Sequence, residues 1–177
     1  MTAKEFATAL TGIAPSMQEL SQYAQDRNLS ANWQNRVRSS YICVLRRNPT
    51  AFDYSDQLLD LAGNYDLSSV EVGSVYFPHP PTIANGKAIV GSVAGGPLVV
   101  NLLSGEIEEL DPADTSFTVD VAAGNGELFL DALWLFAKNT RYFSLGDFDS
   151  DRALASECTS AAGGESFQSF WLGMVGQ

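Results

Sequence analysis

The chain has 177 residues, of which 45% are apolar and 18% charged, and this composition is typical of one packed globular domain. The formal net charge is −11 at pH 7, and a surface this acidic repels nucleic acid and anionic lipid while favouring basic partners. Every apolar run is far shorter than the roughly 20 residues of a transmembrane helix. The opening sequence MTAKEFATAL lacks the apolar core of a signal peptide, so we expect a cytoplasmic protein that binds neither membrane nor nucleic acid.

The negative charge lies entirely in the second part of the chain. Residues 1–60 carry six basic and six acidic side chains, whereas residues 61–177 carry four basic and fifteen acidic side chains. Two explanations of this bias stay open: it keeps the protein soluble, or it attracts a basic partner.

Residues 1–63 are predicted to form helices. Ser16 and Glu19 have the spacing of a capping box, in which each side chain bonds the other residue's backbone amide. The residues placed to cap helices in this part are Ser16, Ser30 and Ser55. The strand-like stretch 41–45 leaves open whether the second helix ends near Ser39 or runs further.

After this helical part, the apolar residues recur at every second position, which indicates strands. Val70 and Val72 alternate in one phase, and Val75 and Phe77 alternate in the opposite phase. Gly73 lies where the phase changes, and this predicts a β-bulge.

Short apolar runs separated by glycine-rich turns fill the middle of the chain. Strands are predicted at Lys87–Val93, 98–102 and Ile107–Leu110, and the alternation in 117–121 indicates another. The turns that would connect the strands contain Asn85-Gly86, Gly95-Gly96 and Ser104-Gly105. Asn85-Gly86 favours a type I′ turn, because Asn and Gly both tolerate the positive φ that this turn requires.

Three helices are predicted in the last third of the chain. Asn125 is placed to cap the first, whose apolar residues surround most of its circumference and indicate burial. Asp149 is placed to cap the second, which Gly163-Gly164 ends. The third, 165–175, carries an aromatic stripe at helical spacing, typical of a helix that faces the core.

The order of helices, then strands, then helices predicts one α+β domain that spans residues 1–177. Its central sheet is expected to be antiparallel or mixed and flanked by helices. The domain comprises a helical part at 1–63, the sheet with a buried helix at 66–137, and C-terminal helices at 149–175. Whether residues 1–60 pack on the sheet or form a separate lobe is left open.

The sequence contains no recognisable set of residues for catalysis or metal binding. His79, the single histidine, lies between prolines without a nucleophile motif. The acidic run 147–151 resembles a calcium loop, but Arg152 and Cys158 stand where glycine and glutamate are needed. Cys43 and Cys158 lack metal spacing and are expected to be buried thiols in a reducing compartment. We expect a non-enzymatic protein without cofactor or metal, with an enzyme that uses paired carboxylates as an open alternative.

A cluster of acidic residues lies in and around the predicted strand Ile107–Leu110. Its members, our candidate partner-binding residues, are Glu106, Glu108, Glu109, Asp111 and Asp114. On a strand these residues place acid on both faces, which predicts an edge strand or a frayed strand end. Two interpretations stay open: the charges guard an edge against aggregation, or they form an anionic surface for a basic protein.

Several short segments follow one another in a fixed order of strand, glycine turn, apolar strand, turn and further strand. They read DLSSVEVG at 66–73, AIVG at 88–91, GPLVVN at 96–101 and SGEI at 104–107, with the helical segment LFLDAL after them at 128–133. In this order the chain resembles the SUKH (Smi1/Knr4-like) superfamily. The segment ESFQSFW at 165–171 is similar to the late Phe-Trp helix of its SUKH-4 branch, whereas residues 1–60 match no family pattern.

The resemblance implies an α+β fold and no catalysis. Many bacterial members of this superfamily are immunity proteins encoded beside polymorphic toxins, often nucleases or deaminases, which they bind and neutralise. The expected partner is therefore a cognate toxin, and the acidic bias suits a toxin with a basic nucleic-acid-binding cleft. Other members are protein-interaction or regulatory scaffolds, which is the alternative function that the resemblance implies.

Overall fold

The computed structural model describes residues 1–50, 55–78, 80–141 and 152–176, and the structural statements below concern these residues. They form an α+β architecture in which helices pack against one face of an antiparallel sheet. The predicted class, α+β with a central sheet flanked by helices, is confirmed, and every strand pair in the sheet is antiparallel. His79, the run 147–151 and the predicted Asp149 cap lie outside the described residues.

Three helices open the chain: α1 (Ala3–Gly12), α2 (Met17–Arg27) and α3 (Ala31–Ser39). The capping box of Ser16 and Glu19 is confirmed, and the Ser30 side chain caps α3. A second capping box, formed by Thr2 and Glu5, starts α1. The end of α3 at Ser39 agrees with the strand-like stretch after it, where β1 (Val44–Leu45) pairs with β2 (Tyr65–Asp66).

The helix α4 (Gln57–Asn64) is capped by Asp56 rather than by Ser55, so that detail of the sequence prediction is wrong. The Asp56 carboxylate accepts hydrogen bonds from the amides of Leu58 at 2.9 Å and Leu59 at 3.1 Å. Its second oxygen accepts from the Gly126 amide at 2.9 Å. One carboxylate therefore satisfies three amides at the starts of two helices, and its two oxygens offer more acceptor sites than a single serine hydroxyl.

The large sheet has seven strands. The bounds of the longer strands agree well with those predicted from the sequence pattern. The strands are β3 (Glu71–Val72), β4 (Val75–Tyr76), β5 (Thr82–Ala84), β6 (Lys87–Val93), β7 (Gly96–Asn101), β8 (Ile107–Leu110) and β9 (Thr118–Ala123). Their spatial order is β3-β4-β6-β7-β8-β9, and β5 pairs with β6 beside β4. The sequence missed only the short strands β2 and β5 outright.

Two turns differ in detail from their predictions. Gly73 does not form a bulge, because Val72 pairs with Val75 and leaves Gly73 and Ser74 as a tight hairpin turn. The β6–β7 turn consists of Ala94 and Gly95, with φ values of 47° and 96°, rather than of the glycine pair. Asn85 and Gly86, with φ values of 52° and 75°, form the predicted type I′ turn.

Helices α5 (Gly126–Asn139), α6 (Arg152–Ala161) and α7 (Gln168–Val175) follow the sheet, with a 3-10 turn at Glu165–Phe167. The Asn125 side chain caps α5 as predicted. The aromatic stripe of α7 is in the core: Trp171 is fully buried, and its Nε1 donates to the Ala122 carbonyl of β9 at 3.0 Å. This bond fastens α7 to the last strand.

One apolar cluster joins all parts of the described chain. It contains Phe6 and Leu58 from the N-terminal helices, Leu98 from the sheet, and Phe129 and Trp171 from the later helices. The N-terminal helices α1 and α4 thus pack into the same core as the sheet and α5, which answers the question that the sequence left open.

The two cysteines are both free. Cys158 is buried, as predicted, and Cys43 is only half-buried. Burial raises the pKa of each thiol to about 12, with Glu157 adding to the effect at Cys158. Both thiols therefore stay protonated and unreactive at neutral pH.

Candidate protein-binding surface

The strand that carries the acidic cluster is inside the sheet. β8 pairs with β7 on one side and with β9 on the other, so the prediction of an edge strand is wrong. Acid on both faces of a strand favours solvent at an open edge, which is the basis of that prediction. The structure resolves the conflict differently, because each of the two glutamates in the strand has its own environment.

Glu108 lies on the sheet face away from the main core, where it is 5% exposed. Its Oε2 accepts from Lys87 Nζ at 2.7 Å and from Thr118 Oγ1 at 3.0 Å, and its Oε1 accepts from Asn101 Nδ2 at 2.7 Å. Burial acts to raise the pKa of Glu108, but the hydrogen bonds from Lys87, Asn101 and Thr118 outweigh it, so that the pKa is lowered. Glu108 is therefore an ionised structural residue, already fully bonded.

Glu109 points to the opposite, helix-covered face, since it pairs with Leu98 of the core and with Asp120 of β9. Burial and the nearby Asp120 carboxylate raise the pKa of Glu109. The two acids border a cavity of about 70 Å³ beside α7. This volume is far below the roughly 300 Å³ at which small-molecule sites begin.

The last two acids shape the loop between β8 and β9. Asp111 Oδ1 accepts from the amides of Ala113 at 2.7 Å and Asp114 at 3.0 Å. Asp114 Oδ1 accepts from the hydroxyl and the amide of Ser116, which lower the pKa of the exposed Asp114. The loop thus holds two carboxylates in fixed turns. Glu106 lies at the other end of β8, in the β7–β8 turn.

The structure therefore does not bring the five candidate acids onto one surface. Two of them remain together at an accessible place, Asp111 and Asp114 in the β8–β9 loop. Exposed apolar residues adjoin them: Phe117 is 60% exposed and Val119 is 51% exposed. Because the Asp111 amide donates to the Phe117 carbonyl at 3.0 Å, the two ends of the loop lie side by side. We call Asp111, Asp114, Phe117 and Val119 the β8–β9 surface.

No Lys, Arg or His lies in the sequence around the β8–β9 surface. Residues 88–137 contain eight acidic side chains and no Lys, Arg or His. Lys87 just precedes them, and Glu108 holds its ammonium group. Among the described residues, no ion pair involves Glu106, Glu109, Asp111, Asp114 or Asp120.

Lys87, Phe117 and Val119 are not among the site residues predicted from the sequence. The sequence does carry a signal for Lys87, which is the only Lys or Arg between Arg47 and Lys138. A lone cation among many acids is a natural partner for an acid that becomes buried. Phe117 and Val119 alternate like core residues, but Val119 is the extra residue where the β8–β9 register shifts. Pattern alone does not show such a shift.

The chain matches no family model, no curated protein and no solved structure. Within the described ranges, no group of three or more His, Cys, Asp or Glu side chains is placed to hold a metal ion. The helices in these ranges are all too short or too polar to cross a membrane.

Proposed function

We propose that this chain is a cytoplasmic, non-enzymatic immunity protein of the SUKH type, which binds a cognate toxin through the β8–β9 surface and blocks its basic cleft. The observation that carries the proposal is that no ion pair in the described structure involves Asp111 or Asp114, while Lys87, the only Lys or Arg in the strands of the large sheet, is held by Glu108. Asp111 and Asp114 are therefore left to attract a basic partner.

The form of the β8–β9 surface supports a protein partner over a free cation. Protein interfaces combine aromatic anchors at the centre with charged residues at the rim. Phe117 supplies an exposed aromatic ring between acidic residues that their own loop has already ordered. Carboxylates held in this way need little further ordering upon binding, which favours affinity. Opposite charge on the partner would speed association and make it sensitive to salt.

The experiment is co-expression of the chain with the product of each neighbouring reading frame, followed by measurements of growth and binding. A toxic, basic product that the chain captures in one-to-one ratio and neutralises would support the proposal. The double variant Asp111→Lys with Asp114→Lys should weaken that binding by at least about tenfold and abolish protection. Phe117→Ala should weaken binding without changing its salt dependence.

The matched control is the double variant Asp26→Lys with Glu157→Lys, because both residues are exposed, on α2 and α6, outside the β8–β9 surface. It changes the net charge by the same amount and should leave protection intact. Equal loss of binding in this control would mean that the net charge of the protein, rather than the β8–β9 surface, explains the loss. Absence of any toxic neighbour, together with capture of a regulatory protein, would favour the scaffold function instead.

A further inference from the structure

A groove of about 320 Å³ lies between α3, the β3–β4 hairpin turn and the C-terminal part of α5, and it is lined in part by Trp33 and Glu71. Its volume is at the lower end of the range for small-ligand sites, roughly 300–1,000 Å³. It is separate from the β8–β9 surface, since β3 and β9 are opposite ends of the sheet order.

Apolar and aromatic side chains form the base of this groove. Val37, Val72 and Ala137 line it and are each buried. Trp33 also lines it and stacks on Tyr23, with ring centroids 5.5 Å apart and an interplanar angle of 19°. Stacking holds the Trp33 ring in place, so the groove offers preformed walls to an apolar stem.

The hydroxyl groups that line the groove are acceptors. Ser40 Oγ donates its hydrogen to the Val37 carbonyl at 2.8 Å, and Thr140 Oγ1 donates to the Phe136 carbonyl at 2.7 Å. Each oxygen therefore keeps only lone pairs for a ligand. Glu71 adds a carboxylate, the only acid among the described lining residues. Such a lining favours a ligand that donates hydrogen bonds and carries positive charge.

Arg36 is the cation now beside Glu71, and it is held weakly. Its Nη2 lies 3.6 Å from Glu71 Oε2, and its side chain is 78% exposed, against 34% for Glu71. Exposed pairs of this kind contribute little to stability. Glu71 Oε1 also accepts from the Tyr76 hydroxyl at 3.3 Å, which orients the carboxylate independently of Arg36. Another cation could therefore displace Arg36 at small cost.

We propose that this groove binds a primary ammonium group on an apolar stem, as in a lysine side chain or a free alkylamine. The ammonium donates to Glu71, and the hydroxyl oxygens of Ser40 and Thr140 are the further acceptors among the lining residues. The stem packs against the apolar base, and the net charge of −11 favours the approach of a cation. The site does not depend on the toxin-binding proposal.

The test uses three probes: n-pentylamine, the blocked peptide acetyl-Gly-Lys-Gly-amide, and its norleucine analogue, which has no charge. Binding is followed by the NMR shifts of the indole N–H of Trp33, assigned with a Trp33→Phe variant. Dissociation constants on the order of 1 mM are expected for the amine or the lysine peptide, and the norleucine peptide should bind at least about tenfold more weakly.

Two variants distinguish the proposed site from a general anionic surface. Glu71→Gln should weaken binding about tenfold or more, whereas Arg36→Gln should strengthen it several-fold, since it removes the competing cation. Glu165→Gln, at an exposed acid next to α7, is the charge-matched control and should change nothing. If Glu71→Gln fails to fold, Ser40→Ala should still weaken binding two- to threefold, by about 0.5 kcal/mol.

The outcomes are decisive in each direction. Binding of the peptide but not of pentylamine assigns the site to a protein's lysine, and binding of both extends it to free amines. Weaker binding in Arg36→Gln would overturn the proposal, because Arg36 would then support the bound probe rather than compete with it. Equal binding of the norleucine peptide, or no shift at probe concentrations on the order of 50 mM, would overturn it as well.

Discussion

Glu109 and Asp120 lie directly opposite each other on β8 and β9, on the helix-covered face of the sheet. Two like charges in register on neighbouring strands repel each other, and partial burial adds to the cost of ionising Glu109. The structure accommodates the pair because burial and the Asp120 charge raise the pKa of Glu109. This arrangement gives the stability of the fold a specific dependence on pH.

We predict that Glu109→Gln increases stability at pH 7 and changes it little at pH 4. A carboxyl group whose pKa is raised in the folded state contributes fully below its unfolded pKa, and the contribution is lost as pH rises through the folded pKa. In the wild type, the contribution of Glu109 to stability therefore falls as pH rises above the ordinary value of 4.5, whereas the neutral glutamine avoids this loss. Urea unfolding at both pH values measures the difference.

Glu106→Gln is the control for this pH effect, since Glu106 lies in the β7–β8 turn, outside the paired strand. It removes one carboxylate from the same region and should give a much smaller gain. A Glu109→Gln protein with no gain at pH 7, or with an equal gain at pH 4, would contradict the prediction.

A second prediction concerns the cation that holds Glu108. Lys87→Met should destabilise the fold by about 1–3 kcal/mol at pH 7, because it leaves a nearly buried carboxylate with only Asn101 and Thr118. Because the pKa of Glu108 is lowered in the folded state, this residue stabilises the fold at pH values above its ordinary pKa of 4.5, and the contribution is lost as pH falls. The deficit of the variant should therefore shrink towards pH 3, as thermal unfolding would show.

The exposed lysine in α1 supplies the comparison for this variant. Lys4→Met removes the same charge from a residue without an ion pair in the described structure. It should change stability by less than about 0.5 kcal/mol. A deficit of Lys87→Met that stays constant with pH would mean that Lys87 acts through packing of its stem alone.

Local signals explain which parts of the fold could be predicted from sequence. The bounds Lys87–Val93 and Ile107–Leu110 follow from short apolar runs and from the turn Asn85-Gly86, whose conformation is fixed by two residues. The second role of Asp56, capping α5 as well, could not be found in this way, because its partner, the Gly126 amide, lies 70 residues further along the chain. The interior position of β8 likewise depends on the order of strands, which neighbouring residues do not encode.

The candidate surface was predictable only in part for the same reason. Composition pointed to the acidic cluster, and Asp111 and Asp114 lie in an accessible loop. The sequence could not show that Glu108 and Glu109 have different environments, because the facing partner of each residue belongs to another strand. The groove beside Glu71 depends on α3 and α5 meeting the sheet at β3, so no local pattern marks it.

A third prediction tests the hairpin turn between β3 and β4. Gly73 has φ of +58°, and a Cβ atom there would lie 2.7 Å from Cε1 of Phe136. An alanine in a left-handed conformation ordinarily lowers the free energy of unfolding by about 1 kcal/mol. Gly73→Ala should lower it by about a further 1–3 kcal/mol, because the new Cβ atom crowds Phe136. Gly105→Ala is the control, since Gly105 has φ of +83° and open space around it. Equal destabilisation of the two variants, measured in urea, would refute a role for the Phe136 contact.

The last prediction separates packing from hydrogen bonding at Trp171. The side chain is fully buried, and its Nε1 donates to the Ala122 carbonyl on β9. Trp171→Phe keeps an aromatic ring but leaves that carbonyl without its donor and a small cavity beside it, so it should cost about 2–4 kcal/mol. Phe170→Leu, on the same helix and also buried, changes apolar volume without removing a hydrogen bond and should cost about 1 kcal/mol. Hydrogen exchange would then show faster opening of β9 and α7 in Trp171→Phe, whereas exchange confined to α7 would mean that the bond does not couple the two elements.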